Sequence, residues 1–97
     1  MELTQLLNSA KAVVRRNVSA NVVAASIEWQ ALERKLVLTY YTHSTHSGDD
    51  EEWCSLALAE LEAEFPDVRL AELLIFPATH FSSTANPDQH VVYESHA

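Results

Sequence analysis

Two stretches decide the fold: Val22-Val23-Ala24-Ala25-Ser26-Ile27-Glu28-Trp29-Gln30 and, after Ala31 to Arg34, Lys35-Leu36-Val37-Leu38-Thr39-Tyr40-Tyr41. Apolar residues recur here with period two, the repeat of a strand whose successive side chains point to opposite faces. Val23, Ala25, Ile27 and Trp29 share one face, and Ser26, Glu28 and Gln30 the other. Leu36, Leu38 and Tyr40 alternate with Val37, Thr39 and Tyr41 in a run of β-branched and aromatic residues, the composition favoured on a pleated surface. The connection is too short for anything but an antiparallel hairpin.

On either side of the hairpin the period is helical. Leu3, Leu7, Ala10 and Val14 recur at helix spacing, with Leu6 and Val13 widening the stripe. Lys11, Arg15 and Arg16 fall towards the end of that segment, where cations suit the helix dipole. Asn17 to Asn21 then reads as a helix exit and loop. Beyond the polar run His43 to Gly48, a second helix is predicted from about Asp49 to Phe65, stopped by Pro66. Its acidic first turn, Asp49 and Asp50 above all, complements the positive end of the dipole, each charge contributing about 0.3–1 kcal/mol. Cys54, Leu58, Leu61 and Phe65 lie within about 60° on the helical wheel and form its core stripe, Ala57 beside them. Residues 69–77 resume as a strand, apolar on both faces as in a covered or central strand. Thr79 to Gln89 is loop, and His90 to Glu94 is a last strand that closes the chain.

The expected architecture is a single α+β domain over residues 1–97, in the order α-β-β-α-β-β. Both helices pack on one face of a four-stranded, mostly antiparallel sheet. The other face, carrying Glu28, Thr39 and Tyr41 or their alternates, is left to solvent or a partner. Trp29 reads as core.

Charge is divided unevenly along this chain of net charge −8. Residues 1–47 carry five basic and three acidic side chains, whereas residues 48–97 carry one basic side chain, Arg69, and eleven acidic ones. An acidic field of this kind attracts cationic surfaces and repels nucleic acid and anionic membranes. The apolar fraction of 47% is too high for a disordered acidic tail. No apolar run approaches the roughly 20 residues of a membrane span, and Met1-Glu2-Leu3-Thr4-Gln5 lacks the basic start of a secretory signal. One cysteine fits a reducing compartment. Cytoplasmic residence is the expectation.

The residues that could do chemistry are few. His43-x-x-His46 reads as a pair of solvated loop histidines, since a zinc site needs three or four ligands at defined spacings. Cys54 has no flanking base, and Glu51, Glu52 and Trp53 beside it would raise a thiol pKa. A single glycine excludes a phosphate-cradling loop. No carboxylate pair is set apart so as to raise the pKa of one member. A non-enzymatic protein is expected, without cofactor or metal.

Binding is the better prospect. Trp53 lies beside the core stripe on the side of Glu60 and Glu64, as an interface anchor or as a lid over the core edge. Leu56, Ala59 and Ala63 make a small apolar strip opposite the core, a second contact surface or a tolerated exposure. The residues expected to meet a partner are Glu51, Glu52, Trp53, Glu60, Glu64 and Asp67, with Tyr41 on the sheet.

Several segments together carry a resemblance. They are Asn17 to Val22 leading into Ala25-Ser26-Ile27-Glu28-Trp29, the run Lys35 to Tyr41, Asp49-Asp50-Glu51-Glu52, Glu60 to Asp67, and the strand Val91-Val92-Tyr93. Over residues 13–94 they resemble a family of small acidic bacterial proteins. That family includes immunity proteins of contact-dependent growth inhibition and colicin-like toxin systems. The resemblance implies a helix, hairpin, acidic helix, hairpin order. It also implies a cytoplasmic antidote that binds the basic C-terminal domain of a cognate toxin, often a nuclease, and occludes its active site. The loop His43–Gly48 and the end Glu94-Ser95-His96-Ala97 depart from the family pattern. The runner-up is a small acidic adaptor or regulatory subunit of a housekeeping protein, acting as a homodimer through the exposed sheet face.

Overall fold

A computed structural model describes residues 2–43, 48–81 and 88–95. Its elements are α1 (Leu3–Arg16), β1 (Val22–Gln30), β2 (Lys35–Thr42), α2 (Gly48–Glu64), β3 (Leu70–Pro77), a 3-10 turn (Ala78–His80) and β4 (Gln89–Glu94). The α+β class and the order α-β-β-α-β-β hold. His46 and Asn86-Pro87 lie outside the described residues.

α1 buries Leu6, Ala10, Val13 and Val14, one stripe at helical spacing. It ends at Asn17, whose backbone N–H donates to the Val14 carbonyl and whose Nδ2 donates to the Val13 carbonyl at 2.8 Å. Both bonds satisfy carbonyls that a helix end leaves open.

The strand order is β3-β2-β1-β4. Across the hairpin Ala25 faces Tyr40, Ile27 faces Leu38 and Trp29 faces Leu36. β3 continues the rows, with Ala71 beside Leu36, Leu73 beside Leu38 and Ile75 beside Tyr40. This face meets the buried stripes of α1 and α2 in one core. Trp29 packs at its margin, half-buried.

The sheet departs from the sequence expectation in three ways. It is mixed rather than mostly antiparallel, because β3 runs parallel to β2. The chain reaches β3 from β2 by crossing over through α2, and such a crossover returns it in the same direction. β3 and β4 therefore form no hairpin: they occupy opposite edges of the sheet. β3 is accordingly an edge strand, not a central one, and Leu70 stays 55% exposed. Finally, a bulge between Val22 and Ala24 puts Val22, not Val23, into the core with Ala25 and Ile27. One extra residue flips the facing of everything before it.

The face away from the helices is less open than period-two reasoning implies. Ala24, Ser26, Val37, Thr39 and Tyr41 are all buried there. Tyr41 rests against Phe76 and Phe81, with ring centroids 6.4 and 5.1 Å away. Ser26 and Thr39 face each other and are flanked by Val91 and Leu74 in register. Small side chains in the two middle strands thus sink between larger ones on the flanks. Ser26 Oγ is buried without a hydrogen bond among the described residues.

Two substitutions test this packing by urea unfolding. Tyr40 donates its phenol proton to the buried Asn17 carbonyl at 2.6 Å, so Tyr40→Phe should cost about 1–2 kcal/mol. Ser26→Ala should be neutral or stabilising by up to about 1 kcal/mol, because it removes a buried group that makes no bond. A loss on Ser26→Ala equal to that of Tyr40→Phe would contradict the assignment.

Candidate functional site

α2 carries most of the candidate residues, and its helical phase sorts them into three sets. The first set faces inward. Cys54, Ala57, Leu58 and Leu61 enter the core, and so does Asp50, which is 2% exposed. The Asp50 carboxylate accepts from Ser19 Oγ at 2.7 Å and from Asn21 Nδ2 at 2.8 Å. Sequence reasoning gave Asp50 to the helix dipole and missed this clasp. The available signal was its phase, which falls with the core stripe rather than with Glu52.

The second set faces α1. Glu60 accepts from Asn17 Nδ2 at 2.5 Å and lies 3.6 Å from the Arg16 guanidinium. Glu64 accepts a hydrogen bond from Ser9 Oγ. Sequence reasoning placed both in a partner surface. The structure places them on the flank that joins the two helices, where they fix one helix against the other. The Arg16 contact itself is exposed and contributes little.

The third set faces away from the sheet. Glu51, Glu52, Ser55, Leu56, Ala59, Glu62 and Ala63 are exposed. Leu56 is 47% exposed and, with Ala59 and Ala63 at helical spacing, forms an apolar strip. Glu52 and Glu62 border it, and Trp53 stands at its edge, 37% exposed. Glu62 was not among the residues picked from the sequence, although its phase puts it on this face. Asp67 is exposed in the turn after α2 and has an electrostatic partner. Tyr41 is withdrawn: at 6% exposure and on the far side of the sheet, it joins neither α2 nor Asp67.

Two buried groups depart from their ordinary acidity. Burial pushes the Cys54 thiol up to about 12. The Tyr40 phenol is raised well above its ordinary value, by burial first and then by Cys54, Glu60 and Tyr93. Among the described residues no three of His, Cys, Asp and Glu come together as a metal site. His43 and His80 are exposed, and His80 lies against Phe76 with centroids 5.7 Å apart. Among the described residues no helix is long and apolar enough to cross a membrane.

No protein-family model matches the chain, and no curated protein matches it. The functional reading rests on the arrangement of α2.

Cys54 supplies a pH test. Below the ordinary thiol value of 9.0 both folded and unfolded chains hold the proton. Above it the unfolded chain ionises while the folded thiol does not, so stability should fall by up to about 1.4 kcal/mol per pH unit. Urea midpoints between pH 8 and 10 should decline in the native sequence and flatten in Cys54→Ala. Parallel declines would mean that Cys54 is not the responsible group.

Proposed function

We propose that this chain is an immunity protein, a non-catalytic inhibitor that binds the C-terminal domain of a cognate bacterial toxin and covers its active site. A toxin with a basic surface, and a nuclease in particular, is the matching partner. The observation that carries the reading is the outward face of α2, where the Leu56-Ala59-Ala63 strip sits between Glu52 and Glu62 with Trp53 at its side. An apolar centre with a charged rim and an aromatic anchor is the anatomy of a binding hot spot. The eleven carboxylates of residues 48–97 supply the long-range field that speeds encounter with a cationic partner.

The second reading, an acidic adaptor working through its sheet, is favoured by the edge of β3, where Leu70 and Phe76 are exposed. The two readings use different elements, so mutations separate them.

The test uses the C-terminal domain of a toxin encoded beside this chain. Co-expression should restore growth of cells that make the toxin domain. Glu52→Lys with Glu62→Lys should slow association at low salt by about tenfold or more. Leu56→Ala and Trp53→Ala should act mainly on dissociation. Association and protection unchanged by all four substitutions would remove the α2 face from the interface. Loss of binding on Leu70→Lys instead would favour the sheet.

A further inference from the structure

The first half of the chain holds a surface that the acidic face of α2 does not use. α1 packs against β4, and a groove of about 540 Å³ lies between them. It is lined by Val91, Val92, Tyr93, Glu94 and Ser95 in unbroken succession, with Lys11 and Arg15 on the helical side. A bulge at Val92 leaves Val92 and Tyr93 with the core while Val91 and Glu94 stand beside Ser26 and Ala24 on the other face, so a groove touching Val91 to Glu94 follows the strand's edge, where its backbone groups lie. β4 ends the strand order, and among the described residues no strand pairs with it on the side away from β1. An unpaired edge of this kind is a template for one more strand.

The cations define what the added strand must carry. Lys11 and Arg15 are exposed, four residues apart on α1, hence about 6 Å apart along the helix axis. The ion pairs among the described residues involve Arg16 and Lys35, not Lys11 or Arg15. Glu94 is the acidic group lining the groove, and it forms no ion pair with either cation. In an extended chain, alternate residues share a face at a spacing of about 6.6–6.8 Å. Carboxylates at alternate positions therefore match the Lys11–Arg15 spacing, and Arg donates two parallel hydrogen bonds to a carboxylate.

We infer that the groove between α1 and the outer edge of β4 binds an extended acidic peptide as a fifth strand, its alternate carboxylates pairing with Lys11 and Arg15. Backbone bonds along β4 supply the affinity, and the two cations set the preference for acid. The inference is independent of the partner of α2, because the groove lies at the other end of the α1–α2 layer and uses charge of the opposite sign.

The test is a titration of the isotope-labelled full chain with capped ten-residue peptides, read by amide shifts and fluorescence anisotropy. A peptide with Glu-Val-Glu at its centre should move the amides of residues 91–95 and bind at least tenfold more tightly than its Lys-Val-Lys counterpart. N-methylation of alternate backbone amides in the acidic peptide should weaken it at least tenfold, which charge attraction alone would not do. Lys11→Glu with Arg15→Glu, both at exposed positions, should weaken it similarly while leaving the fold's spectrum intact. Equal binding of acidic and basic peptides would overturn the inference, as would indifference to N-methylation or shifts confined to other residues. Concentration-dependent shifts at residues 91–95 without peptide would also overturn it, by showing a second copy of the chain as the occupant.

Discussion

Asn17 holds the three parts of this molecule in one arrangement. Its side chain donates to the last turn of α1 at the Val13 carbonyl and to Glu60 on α2. Its own carbonyl accepts the phenol proton of Tyr40 from the middle of the sheet. Two and four residues on, Ser19 and Asn21 donate to Asp50 in the first turn of α2, and the Asn21 carbonyl accepts from the His43 backbone at the end of β2. The short connection from α1 to β1 is thus tied to α2 near both its ends. The side-chain bonds are partly or wholly buried and three of them end on the carboxylates of Glu60 and Asp50, so each contributes more than an exposed polar contact and leaves a costly unpaired group when broken. With its inner and α1-facing sides committed, α2 has one direction left in which to present charge.

That commitment reduces the share of the acidic charge that is left to face outward. The acidic half of the chain looks like one field in composition, yet its carboxylates do three different things. Asp50 is core architecture, Glu60 and Glu64 join the helices, and Glu52 and Glu62 border the apolar strip of Leu56, Ala59 and Ala63. The basic half is divided as well, with Arg16 turned to Glu60 and Lys11 and Arg15 turned to the groove beside β4.

How far the sequence could be read depended on the range of the interaction concerned. The period-two run through Ala25, Ile27, Leu36 and Leu38 sufficed for the hairpin, because both strands and their turn are contiguous. The stripe of Cys54, Leu58 and Leu61 sufficed for the buried side of α2. Pairing between distant strands has no comparable local signal: nothing in residues 70–77 says that they lie beside β2 rather than β4. Their apolar character on both faces reads as a central position, but it arises from α2 on one side and from Tyr41, Phe76 and Phe81 on the other. The bulge after Val22 is a backbone irregularity with no local signal, whereas the helical phase of Asp50 marks it as inward-facing but does not give its partners Ser19 and Asn21, about thirty residues away in the chain.

The central claim is that the carboxylates of α2 divide between holding the fold and facing outward. It is tested most directly by urea unfolding of four single variants measured side by side: Glu60→Ala, Glu64→Ala, Glu52→Ala and Glu62→Ala. The first two should lose stability, Glu60→Ala by about 1 kcal/mol or more, because Asn17 loses a charged acceptor. The last two should stay within about 0.5 kcal/mol of the native sequence, as exposed substitutions do. Equal losses across all four, or larger losses at Glu52 and Glu62, would contradict the division.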